Sequence, residues 1–153
     1  MNTCTSFEVQ ESVCPPSESG KRYPVFRDPA GIRILSRISA GLLRRGYHVT
    51  PVRPACGIEA GCECRLTSGF KVDVILGVLR RQREFISCGL ITRHFPPLIN
   101  RLLGVAETNV AARADEWREL CRAIEHEVIE SFGVTSVVWL TENEADKRWT
   151  EME

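Results

Sequence analysis

Cys62-Glu63-Cys64-Arg65-Leu66-Thr67-Ser68-Gly69-Phe70-Lys71-Val72-Asp73-Val74-Ile75-Leu76-Gly77-Val78 is the stretch whose periodicity decides the fold. Cys62, Cys64 and Leu66 alternate with Glu63 and Arg65. Thr67-Ser68-Gly69 supplies turn chemistry, and Phe70, Val72, Val74, Leu76 and Val78 resume the two-residue period. Two alternating runs around a glycine-containing turn predict an antiparallel hairpin with one apolar face. Ile75 and Leu79 fall on the opposite face, so part of the second face also needs cover, which a partner or a homodimer contact could supply.

Outward from the hairpin, the five-residue connection Arg80-Arg81-Gln82-Arg83-Glu84 suits an antiparallel neighbour and predicts a strand over 85–92. On the other side, 47–52 alternates well enough for a short strand. Pro51 cannot donate a ladder hydrogen bond and so places it at an edge. Asp28-Pro29 offers a helix start, with a capping carboxylate and a first-turn proline. Ile32, Leu35, Ile38, Leu42 and Leu43 recur at helical spacing up to Arg44-Arg45-Gly46, a favourable helix end. After 95–97 breaks regular structure, Leu98 to Leu103 predicts a short apolar helix. Residues 109–132 then place Val110, Ala114, Trp117, Cys121, Ile124 and Val128 on one stripe of a long helix ended by Gly133. A returning strand over 134–140 and a capping box at Thr141-Glu142-Asn143-Glu144 complete the pattern.

The expected fold is α+β. An antiparallel sheet of four to five strands, spanning roughly 47–92, is packed by an N-terminal helix and a long C-terminal helix in the order α-β-β-β-β-α-β-α. Residues 28–153 form one domain. Residues 1–27 mix Ser, Thr, Glu and Pro with isolated apolar side chains and are expected to be a flexible or loosely docked tail.

Of 153 residues, 43% are hydrophobic and 26% charged, which is ordinary globular usage. Net charge is zero but uneven, with 15 Lys or Arg against 5 Asp or Glu over 21–104 and 5 against 12 over 105–153. Either the basic part offers an anion-binding face, or acidic helix packs beside basic sheet within one molecule. No export signal or apolar run long enough for a membrane span is visible, and seven cysteines make an odd count. Reduced thiols in the cytoplasm are the expectation.

Cys56, Cys62 and Cys64 bring three thiols together, but without a paired C-x-x-C knuckle or a nearby histidine at zinc-site spacing. No metal or other cofactor is expected. Cysteine catalysis needs a neighbouring base. Cys88 with His94, or Cys121 with His126, could meet only through the fold, and Cys121 sits on the apolar stripe. Asp115, Glu116, Glu119, Glu125, Glu127 and Glu130 read as a solvated helix face. His94, at the exit of a strand, is the better placed functional histidine. Glycines form no phosphate-binding loop or dinucleotide fingerprint, and no nucleophile elbow occurs.

In pattern, residues 28–149 resemble small bacterial α+β proteins of the toxin-immunity or accessory type. The resemblance rests on a first helix ending Leu42-Leu43-Arg44-Arg45-Gly46-Tyr47, the meander, the long helix, and the closing Val137-Val138-Trp139-Leu140-Thr141 strand. It implies a non-enzymatic protein-binding module that occupies a partner's surface. The expected surface joins Arg80, Arg81, Arg83, Arg93 and His94 to an apolar segment containing Phe95, Leu98 and Leu102, since arginines around an apolar anchor suit an interface. The alternatives are a nucleic-acid or polyanion binder using the basic 21–104 region, and a Cys/His-dependent enzyme or metal protein.

Overall fold

The structure is a computed structural model that describes residues 1–13, 29–55, 59–94, 102 and 110–151. Its centre is the expected hairpin. Strands β4 (Glu59–Arg65) and β5 (Lys71–Arg81) pair antiparallel, with Cys62 opposite Val74 and Cys64 opposite Val72. Gly69, at φ +84°, takes the left-handed conformation that the turn requires. Strand β6 (Phe85–Arg93) adds next, Leu90 opposite Leu76, so the apolar residues of all three strands share one face.

The sheet is larger than the sequence pattern predicts. Strand β1 (Cys4–Gln10) lies beside β6 in unbroken register from Cys4↔Ile91 to Gln10↔Phe85, inside the stretch expected to be a tail. Strand β7 (Val138–Leu140) pairs with its outer side. The expected strand over 47–52 is instead two short ones, β2 (His48–Val49) and β3 (Arg53–Pro54), both on β4 and separated by the segment containing Pro51. The antiparallel sheet thus has seven strands in the order β2-β4-β5-β6-β1-β7, with β3 also on β4. The tail reading failed because β1 carries only two large aliphatic or aromatic side chains, Phe7 and Val9. It also buries Thr5, whose hydroxyl donates to Val138 O at 2.7 Å.

Helix α1 (Pro29–Arg44) and helix α2 (Val110–Phe132) cover one sheet face. Ile34, Leu35, Ile38 and Leu42 from α1 meet Leu120, Ile124 and Val128 from α2 over Val9, Val72, Val74, Leu76, Ile86 and Leu90 in one core. Each such side chain contributes about 1.5–3 kcal/mol relative to exposure. Helix α1 stops where its signals place the stop: Gly46, at φ +91°, turns the chain, and Tyr47 N donates to Leu42 O. Leu43 departs from the expected stripe and is 53% exposed. Asp28, the expected cap, and nearly all of the short helix expected over 98–103 lie outside the described residues.

On the second face, helix α3 (Glu142–Thr150) begins at the expected capping box, Thr141 and Glu144 exchanging hydrogen bonds. It buries Ala145 and sets Trp149 against Gly89, where a Cβ would come within 3.0 Å of the indole. Among the described residues no helix is long and apolar enough to cross a membrane.

Glu127 is not part of the solvated face that the charge pattern predicts; it is 4% exposed. Its carboxylate lies against Gly41 of α1, and Arg45 Nε sits 2.7 Å from Oε1 while Arg44 Nη2 sits 3.6 Å from Oε2. A buried carboxylate needs such partners to offset desolvation. A Cβ on Gly41 would fall 1.9 Å from Glu127 Oε2, so Gly41→Ala must expel the carboxylate from its guanidinium partners. The substitution should lower stability by about 2–4 kcal/mol despite alanine's higher helix propensity. Denaturant unfolding checks this, and an unchanged or higher midpoint would contradict the packing.

Candidate functional site

The expected arginine surface is carried by the far end of the β5–β6 hairpin. Strand β4 accompanies β5 only as far as Glu59↔Gly77, whereas β5 continues to Arg81. After Val78 the register with β6 shifts by one residue: Val78 faces Cys88, Arg80 faces Ser87, and Leu79 is the extra residue. Such a bulge re-aims the strand that follows. Leu79 turns toward Gly89 beside Trp149, which anchors the base of the arm. Gln82 N donates to Phe85 O at 2.8 Å and closes the tip, and residues 80–84 are all exposed.

The three tip arginines differ. Arg81 Nη2 donates to Glu11 Oε1 at 3.2 Å, and Glu11 N donates to Glu84 O at 3.0 Å, so the segment after β1 braces one side of the arm. The Arg81–Glu11 pair is half-exposed and contributes less than about 1 kcal/mol. Arg80 and Arg83 have no carboxylate partner among the described residues.

Arg93 and His94 stand at the opposite end of β6, about 25 Å from the tip at the rise of an extended strand. The structure therefore divides the expected surface in two. Arg93 Nε donates to Glu142 Oε1 at 3.2 Å. The His94 ring stacks on Phe70 at 3.9 Å between centroids, and its Nδ1–H donates to Lys71 O at 2.7 Å, which sets the tautomer. Phe70 is tilted against Trp117 at 6.0 Å, with the Arg113 guanidinium 5.1 Å from the Phe70 ring centre. Trp117 Nε1 donates to Thr92 Oγ1 at 2.8 Å, and that hydroxyl donates to Thr3 O at 3.1 Å. A cavity of about 410 Å³ opens here between Met1, Thr92, His94, Trp117 and Glu142. The knot joins β1, β6, the β4–β5 turn and α2, so His94 has an architectural role where the sequence suggests a binding loop. Phe95 and Leu98 lie outside the described residues, and Leu102 is 77% exposed.

No sequence signal marks Phe70 as the partner of His94, since the two are far apart in the chain. Only the meander register, with Asp73 opposite Arg93, brings them together.

The chemistry of the thiols follows from burial. Cys62 and Cys64 face the core, and desolvation pushes both from the ordinary value of 9.0 up to about 12. Burial raises Cys121 to about 11, partly offset by the Thr92 hydroxyl 3.8 Å from its sulfur. Cys88 is buried with its Sγ 3.9 Å from Ile86 O. These are poor nucleophiles, because reactivity belongs to the thiolate. Cys56 lies outside the described residues.

His126 groups with Glu127 and Glu130, their ligand atoms within 4.8 Å of one another. The Arg45 guanidinium already supplies the positive charge there, contacting His126 Nδ1 and Glu127 and reaching Glu130 at 4.0 Å. The group therefore works as an interhelical clamp.

No protein-family model, curated protein or solved structure matches the chain.

Because the unfolded chain ionises its thiols near pH 9 and the fold holds them neutral to pH 11 or 12, the unfolded state binds fewer protons in that window. The thiols' contribution is full below pH 9 and is lost as pH rises toward 12. Iodoacetamide at pH 8.5 should accordingly leave Cys62, Cys64 and Cys121 unlabelled in the folded protein and label all three in urea. Mass spectrometry reads the outcome, and rapid native labelling of any of them would contradict their placement.

Proposed function

We propose that this chain is a non-enzymatic protein-binding module of the immunity, inhibitor or accessory kind, working in the cytoplasm by occupying an acidic patch on its partner. The observation that carries the reading is the pair Arg80 and Arg83, exposed on a braced β-arm with no carboxylate partner among the described residues. Most other ionic contacts of the basic half are internal: Arg44 and Arg45 go to Glu127, Arg93 to Glu142 and Lys71 to Glu63. Guanidinium groups are suited to bidentate contact with carboxylates, and Arg80 at the end of β5 and Arg83 in the closed turn present them from one hairpin tip.

A polyanion would engage the same arginines, but the reading as a nucleic-acid binder called for a broad basic face. Four of its arginines, Arg44, Arg45, Arg81 and Arg93, are already paired with carboxylates within the fold. Enzymatic readings draw no support from Cys62, Cys64 and Cys121, which are buried and held protonated.

The test is capture from nuclease-treated bacterial lysate by the wild-type chain and by the double variant Arg80→Glu, Arg83→Glu, with Arg93→Ala as a control away from the tip. The double variant should weaken the recovered complex by about tenfold or more, the control should not, and the thermal midpoint should hold. Undiminished capture of the same partner by the double variant would refute this interface. Capture that disappears on nuclease treatment would transfer the arm to the polyanion reading.

A further inference from the structure

A second recessed site lies away from the arm, at the corner where α1 ends. The turn after α1 (45–48), the β4–β5 turn (65–69) and the middle of α2 enclose a cleft of about 550 Å³. That volume is within the range of small-ligand clefts. It is lined by Tyr47, Leu66 and two carboxylates of α2, Glu116 and Glu119, together with Arg65 and His48.

These groups differ in how far the fold already uses them. Glu116 is committed, Oε2 accepting from Ser68 Oγ at 2.8 Å and from Ser68 N at 3.3 Å, which fixes the turn against α2. Arg45 is committed to the Glu127 clamp. The Tyr47 hydroxyl, Arg65 and Glu119 have no hydrogen-bond or ion-pair partner among the described residues. The cleft therefore offers Arg65 as an uncommitted cation, Glu119 as an uncommitted anion and the Tyr47 hydroxyl beside them. The backbone around them is well fixed: Gly46 N donates to Leu43 O and Tyr47 N to Leu42 O, and Leu66 N donates to Phe70 O at 2.8 Å.

We infer that this cleft binds a small amphoteric solute of the amino-acid or short-peptide class, its ammonium end on Glu119 and Tyr47 and its carboxylate end on Arg65. The cleft selects for both charges together. A ligand with only an anionic end would leave the two α2 carboxylates facing it, and one with only a cationic end would leave Arg65 without a counter-charge. Leu66 is 3% exposed and gives the floor too little open apolar surface for a hydrophobic ligand. This site is independent of the Arg80 and Arg83 arm, and each can fail without the other.

Triglycine, N-acetyl-triglycine and triglycine amide form a probe set with one backbone and either both charges or one. Amide shifts in a heteronuclear NMR titration of the full chain report position and affinity together. Triglycine should shift 45–48, 65–69 and 116–119 with a dissociation constant of about millimolar order, and each capped form should bind about tenfold more weakly. Arg65→Gln and Glu119→Gln, both at exposed positions, should keep the dispersed spectrum and each lose about tenfold in affinity. Absence of shifts at tens of millimolar triglycine would overturn the inference, as would equal binding of the capped forms or wild-type affinity in both variants.

Discussion

The register between β1 and β6, from Cys4↔Ile91 to Gln10↔Phe85, is the constraint on which the rest of the molecule depends. It turns β6 from an edge into an interior strand and gives β7 its only neighbour in the sheet path. It also brings Thr3 within reach of Thr92, so that one hydroxyl links the first strand to Trp117 of α2. Beyond the other end of β1, Glu11 meets Arg81 and Glu84 and steadies the hairpin arm. A strand paired with β6 along its whole length is costly to remove, because Phe7 and Val9 would leave the core while β6 lost its ladder partners.

Part of the charge asymmetry of the chain is resolved inside the fold. Acidic helices close over a basic sheet and helix end, and the contacts are specific. Glu127 takes Arg44 and Arg45, and Glu142 takes Arg93. The clamp at Glu127 is buried on one side and tolerates no Cβ at Gly41, so it fixes how α1 crosses α2 as well as neutralising charge. The hairpin tip at one end of the sheet, and Arg65 with Glu119 at another corner, are among the charged groups this leaves uncommitted. Function is most economically sought at those two places.

Much of the architecture was legible in the residues. Alternation in 62–66 and 70–78, the stripe in 109–132 and the Thr141–Glu144 capping box each encode structure locally, and each element stands where its pattern puts it. The first strand was not legible, because Cys4-Thr5-Ser6-Phe7-Glu8-Val9-Gln10 has the right period but buries a threonine and a cysteine whose acceptability depends on distant partners. Glu127 was misread for the same kind of reason: nothing near it in sequence reveals that Gly41 and two arginines await it. The candidate surface was legible residue by residue but not as a surface. Arg80 and Arg81 belong to β5 and only Arg83 lies in the turn, a shorter connection than the expected 80–84, while strand length separates them from Arg93 and His94, and helix α3 and Phe70 engage those two.

The account stands or falls on β1 being an interior strand. Amide hydrogen exchange on the full-length protein measures this directly, since exchange from a paired interior strand requires global or near-global opening. Phe7 and Val9 should exchange as slowly as Cys88 and Ile86 of β6, their cross-strand neighbours, and with the same response to denaturant. Exchange of 4–10 at the rate of a free peptide, with β6 still protected, would contradict it.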